Sequence, residues 1–120
     1  KNGIGRFAVE LKSTSQVIGW AGLKFITEPE NDHVNFYDIG YRLNEKFWGN
    51  GYALEAAKAW LDYGFNQMNI PKMYASANIE NQNSIKILQK LGLNIVSNFN
   101  WNEIPCHWFE LENPNQKMNK

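Results

Sequence analysis

Three groups of residues in this chain of 120 amino acids have types and spacings suited to chemistry. The first is Phe47-Trp48-Gly49-Asn50-Gly51-Tyr52-Ala53, in which two glycines one residue apart precede a helical apolar pattern. Glycine lacks Cβ and admits positive φ, so successive backbone N–H groups at a helix N-terminus can converge on one anion, a phosphate above all. The same spacing also describes an ordinary strand-to-helix turn, since no Lys-Ser/Thr follows to make a P-loop and no third glycine completes a dinucleotide fingerprint. The second group is Asn81 and Ser84, at the start of another helical pattern, where both residue types are also preferred caps. The third is Asp38, which shares an alternating strand face with Phe36, Gly40 and Arg42 and can pair with Arg42 there. His33 and His107 stand apart without ligand-spaced partners, which argues against a metal site. The single cysteine, Cys106, has no partner for an internal disulfide and reads as a small, partly buried apolar residue.

Positioning these groups requires a particular order of elements. Phe7 to Ile26 reads as two strands, with Phe7, Val9 and Leu11 alternating before the polar turn Lys12-Ser13-Thr14-Ser15-Gln16 and Val17 to Phe25 resuming after it, which predicts a hairpin. Glu28 to Asp32 forms a turn cluster, and Val34 to Leu43 reads as a third strand running directly into the glycine loop. Ala53, Ala56, Ala57, Trp60, Leu61, Gly64, Phe65 and Met68 then form one buried stripe at helical spacing, stopped by Asn69 and Pro71. A fourth strand over Lys72–Ile79 and a short helix carrying Ile85, Leu88 and Leu91, ended by Gly92, follow. Leu93 to Trp101 and Cys106 to Leu111 predict two closing strands, with Asn102 to Pro105 between them and a polar tail from Asn113 expected to fray. The order β-β-β-α-β-α-β-β predicts an α/β (α+β) fold, a mixed sheet with helices packed on it. Residues 1–120 read as one domain.

Lys and Arg number 12 and Asp and Glu 12, so the formal net charge is zero. That balance removes the broad attraction expected for nucleic acid or an anionic membrane. The aromatic strands carry few interleaved basic residues, so core packing explains them better than base stacking. No stretch has the apolar length of a membrane span, and the single cysteine suits a reducing cytoplasm, so a cytoplasmic protein is expected.

Four segments, in order, resemble the GNAT superfamily of acetyl-CoA-dependent N-acetyltransferases, and most closely the branch of ribosomal-protein alanine N-acetyltransferases. They are Ile18-Gly19-Trp20-Ala21-Gly22-Leu23, Asp38-Ile39-Gly40-Tyr41-Arg42-Leu43, Trp48-Gly49-Asn50-Gly51-Tyr52-Ala53, and Glu80-Asn81-Gln82-Asn83-Ser84 with Leu88-Gln89-Lys90-Leu91-Gly92-Leu93. The resemblance runs from about Phe7 to Leu111 and implies a mostly antiparallel twisted sheet. It departs from the family pattern at Trp48, where Arg or Gln is usual, and at Leu88, where many members carry a tyrosine. The chain also enters at what resembles the second strand, without the usual first strand and two helices that wall the acceptor site. Either it is part of a longer chain or the amine side is built differently.

The resemblance implies acetyl-CoA as cosubstrate, a primary amine as acceptor and no metal. Trp48, Gly49, Asn50, Gly51, Tyr52 and Ala53 are then expected at the pyrophosphate, and the backbone of Tyr41, Arg42 and Leu43 along the pantetheine arm. Asn81 is expected at the pantetheine or acetyl region. Ser84 would also lie near the thioester sulfur as a candidate acid, although a thiolate of pKa about 8.5 can leave without one. Asp38 is the candidate base and His107 a secondary one. A binding module without turnover is the rival reading, and a sheet edge left without its first strand invites a homodimer.

Overall fold

Alternating apolar residues build the sheet, and its register decides where the chemistry can sit. The computed structural model describes residues 5–31, 33–48 and 51–117. β1 (Gly5–Glu10), β2 (Val17–Ile26) and β3 (Phe36–Leu43) form an antiparallel meander that sets Ala21 opposite both Phe7 and Tyr41. A 3-10 turn at Glu45–Phe47 leads toward α1 (Tyr52–Asn66), and α1 crosses to β4 (Lys72–Asn78), which runs parallel to β3. Parallel neighbours need such a crossover because no tight turn can join them. Then follow α2 (Gln82–Lys90), the hairpin of β5 (Asn94–Trp101) and β6 (Ile104–Glu112), and the short α3 (Pro114–Lys117). The six strands lie in the order β1-β2-β3-β4-β6-β5, and only the β3–β4 pair is parallel. The mixed, mainly antiparallel sheet expected from the sequence is therefore the one observed.

Both helices pack on one face. Ala57, Leu61 and Phe65 of α1 and Ile85 and Leu88 of α2 share a buried cluster with Leu23, Ile39, Met73, Ala75 and Phe109. Burying an aliphatic or aromatic side chain of this size stabilises by about 1.5–3 kcal/mol, so the stripe is what holds α1. Its polar residues face outward, where Lys58 and Asp62 pair at 2.9 Å one turn apart. The other face carries Phe36, Tyr74 and Trp108, covered by the β2–β3 loop through His33, whose ring stacks on Trp108 at 4.8 Å. Cys106 is buried on this side, and burial together with Glu30 raises its thiol pKa, so it behaves as packing.

Several boundaries differ from the sequence expectation. β3 begins at Phe36 instead of Val34, because Asn35 takes a φ of 57° and breaks the extended run. The closing hairpin turns at Asn102 and Glu103 alone, with φ of 49° and 70°, so Ile104 and Pro105 belong to β6 and not to a loop. Two successive residues of positive φ match the twist of the flanking strands. The tail expected to fray from Asn113 is anchored at that residue. Asn113 is 1 % exposed, and its Nδ2 donates to the carbonyls of Phe65 (3.1 Å) and Ile70 (2.9 Å).

The first bond satisfies a carbonyl in the last turn of α1 that the helix itself leaves open, and the second satisfies the Ile70 carbonyl in the segment leading to β4. Asn113→Ala would strand both acceptors in the core and is expected to lower stability by about 2 kcal/mol, read as a lower midpoint in urea unfolding with unchanged slope.

Candidate active site

The ladder between β3 and β4 ends early. Tyr37 pairs with Met73 and Asp38 with Tyr74, and beyond them the two strands part. Asn44 N–H donates to the Ile18 carbonyl at 2.7 Å, so even-numbered β3 residues turn their backbone groups to β2. By alternation, the N–H and C=O of Tyr41 and Leu43 then face the gap. The register to β2 runs without a shift through all eight pairs, and a Cβ on Gly19 would collide with the Arg42 carbonyl. Glycine at that point lets β2 hold the end of β3 close while β4 diverges.

Cavities follow this gap. One, of about 520 Å³, is lined by Tyr41, Arg42, Leu43, Trp48, Asn81 and Ser84 among others. Toward α1 it continues into a space of about 150 Å³ bounded by Gly51, Tyr52, Ala53 and Lys90. Toward the sheet it continues into one of about 200 Å³ bounded by Trp20, Asp38, Gly40, Tyr41, Ser76 and Ser84. Phe36 and Asp38 lie on the face opposite Ile39 and the helices, so this last space opens through the sheet from one face to the other.

Each terminus of the gap has its own electrostatics. Gly51 caps α1 with φ 82° and ψ 0°, and among the described residues no side chain caps that end. The first free N–H groups of α1 and the positive end of its dipole therefore point outward. A Cβ on Gly51 would meet nothing within 4 Å, so its conformation and not crowding calls for glycine. Gly49 and Asn50, expected in the same loop, lie outside the described residues. The Trp48 indole donates to the Leu43 carbonyl at 2.9 Å, pinning the strand end beside the loop.

Asn81 is the N-cap of α2: its Oδ1 accepts from Ser84 N–H at 3.1 Å, the capping role open to it in the sequence. Ser84 lies in the first turn of α2, and its Oγ is 3.1 Å from the Tyr41 hydroxyl, which also lies 3.2 Å from the Ser84 carbonyl. Burial pushes the Tyr41 phenol up to about 12, against the opposing effect of its Ser84 bond, so it stays protonated across the neutral range.

The structure thus brings Asp38, Tyr41, Arg42, Leu43, Trp48, Ala53, Asn81 and Ser84 around one continuous space, with Gly51 and Tyr52 at its helix end. Cross-strand register sets Lys24, not Arg42, opposite Asp38. His107 is not among the lining residues, and its Nδ1 lies 2.7 Å from Asn98 Oδ1 on the last hairpin. Sequence reading missed the Tyr41 side chain and Asn83, Ile87 and Lys90. The last three recur at spacings of four and three on one face of α2, a pattern that was available, whereas the Tyr41–Ser84 contact spans 43 positions. Among the described residues, no group of three acidic, histidine or cysteine side chains could hold a metal, and no helix is long and apolar enough to cross a membrane.

An N-acetyltransferase, p20, of Bacillus licheniformis is 40% identical over 86 residues, covering 72% of this chain and 46% of that protein. The spermidine N(1)-acetyltransferase of Escherichia coli K12 is 38% identical over 92 residues, covering 75% of this chain and 45% of the enzyme. The chain spans about half the length of the curated relatives it matches. In three dimensions it is similar to the ribosomal-protein-S5-alanine acetyltransferase of Vibrio fischeri, with TM-score 0.79 and 22% identity over 92% of this chain and 62% of that one. The acetyltransferase (GNAT) domain itself matches residues 1–94, most of the sequence, and so the chain belongs to the GNAT acetyltransferase family.

Proposed function

We propose that this chain forms the acetyl-CoA-binding part of an N-acetyltransferase that moves an acetyl group directly to a primary amine, of a protein N-terminus or of a small molecule. The observation that carries this reading is the gap between β3 and β4, which runs from the α1 N-terminus to Asp38. The diphosphate rests at the α1 N-terminus against the N–H groups after Gly51, with Lys90 beside it. The pantetheine arm lies along Tyr41 and Leu43, where the Tyr41 N–H and C=O and the Leu43 N–H pair with its amides as another strand would. The thioester then reaches the Tyr41–Ser84 corner, and the amine enters through the smaller space that Asp38 lines.

A thioester is already activated, so the residues contribute position, a polarising N–H at the carbonyl and removal of a proton from the acceptor. Asp38 suits the last role: a carboxylate attracts an ammonium and takes its proton directly or through water. Named relatives include a spermidine acetyltransferase, and a structural neighbour is named for a ribosomal-protein alanine; what the two names share is a primary amine.

Calorimetry with acetyl-CoA and CoA tests the binding half. Gly51→Asp forces a side chain into positive φ and sets a negative charge where the phosphates lie, and is expected to weaken binding about 10- to 100-fold. Ser84→Ala should leave that affinity within about twofold, because it lies at the other end. No binding by the native protein would refute the reading, and binding without thiol release against any amine would favour a module that holds acyl-CoA without turnover.

Thiol-release kinetics test the chemical half. Asp38→Asn is expected to lower kcat/KM by about 100-fold near neutral pH without changing acetyl-CoA affinity. The deficit should shrink as pH rises toward the acceptor's own pKa, about 10 for an alkyl amine, where free amine no longer needs a base. A deficit that stays constant with pH would remove Asp38 from proton transfer.

A further inference from the structure

Tyr41 presents its phenol to both oxygens of Ser84, and a phenol has a single proton. Two arrangements follow. In the first, Tyr41 donates to the Ser84 carbonyl and accepts the Ser84 hydroxyl proton, which closes the pair on itself. In the second, Tyr41 donates to Ser84 Oγ and the Ser84 proton is released to a third acceptor. Both residues line the two adjoining cavities, so that third acceptor is whatever occupies the junction between them.

We propose that Tyr41 is a positioning residue that orients the Ser84 hydroxyl as a hydrogen-bond donor to the sulfur of the bound thioester and of the departing CoA. This rests on the reading given above for the gap. Ser84 stands in the first turn of α2, where the helix dipole also favours negative charge. A hydroxyl that itself receives a hydrogen bond becomes a better donor, so the chain from Tyr41 through Ser84 to sulfur strengthens along its length. In the step it assists, the neutral amine nitrogen forms the C–N bond to the acetyl carbon. The C–S bond breaks with its electron pair staying on sulfur, the nitrogen gives up its remaining extra proton to water, Asp38 having taken the first, and the thiolate takes a proton from solvent. Neither Tyr41 nor Ser84 changes its protonation overall, which suits a phenol that is harder to ionise than the thiol it serves.

A structural tie between β3 and α2 would use the same contact, so the test must read sulfur and not stability alone. The thiol pKa of CoA bound to the protein can be followed by thiolate ultraviolet absorbance, with desulfo-CoA complexes subtracted to remove tyrosine ionisation. In the native protein it is expected about one to two units below that of free CoA, the effect of one hydrogen bond to a charged acceptor. Tyr41→Phe should return it upward by about one unit, Ser84→Ala by at least as much, and the double variant no further than Ser84→Ala alone. An unchanged thiol pKa in Tyr41→Phe, or a Tyr41→Phe effect that persists without Ser84, would overturn the proposal. Should Tyr41→Phe fail to fold, Ser84→Thr must keep the low thiol pKa that Ser84→Ala loses, and equal values in the two would overturn it. CoA bound by the native protein with an unshifted thiol removes this inference alone; CoA not bound at all removes the functional reading with it.

Discussion

The early end of the β3–β4 ladder is the constraint on which the rest depends. Two parallel strands that pair only at Tyr37–Met73 and Asp38–Tyr74 leave backbone donors and acceptors facing open space. Such groups want partners, and a ligand with its own amides can supply them as a strand would. The gap is held open from both sides. β3 is kept on β2 by a full run of pairs that ends at Gly19 and Leu43, while β4 is kept on β6 by seven pairs from Lys72 to Asn78. Separation is thus the product of good pairing elsewhere.

What sits at the two ends of the gap follows from connectivity. Because α1 is the crossover between the two parallel strands, its N-terminus must lie at the C-terminal end of β3, beside the opening. The chain leaves β4 at the same end, which brings the Asn81 cap and Ser84 across from Tyr41. A continuous space with a helix N-terminus at one end and the Tyr41–Ser84 contact on its wall is therefore built from the termini of regular elements, and α1 and α2 are fixed by Leu61, Phe65, Ile85 and Leu88 in the core. The aromatic packing on the opposite face, with His33 on Trp108, supports the sheet beneath.

Family membership narrows chemistry without choosing the acceptor. In the proposed reading the gap takes the cosubstrate and the amine meets the Asp38 side, so the two demands fall on different residues. The residues differ accordingly: the helix end of the gap is made of backbone and dipole, and the Asp38 end of side chains.

By itself the sequence determined the order of elements, the buried stripe of α1 and the caps, because periodicity and local hydrogen bonding act over a few residues. Gly51 and Asn81 were legible for that reason, one through the backbone freedom a left-handed cap needs and the other through its reach to the third residue on. Local signals were weaker where two solutions fit one composition. Asn35 and the Asn102-Glu103 pair each moved a strand start by two residues, and Asn113 became an anchor because tertiary neighbours offered two carbonyls. Only the folded chain decided that Lys24 stands opposite Asp38, that β3 and β4 separate, and that the Tyr41 phenol rests on Ser84. Those relations join residues from strands and helices distant in sequence, and they depend on how the sheet twists and packs, which no window of neighbouring residues encodes.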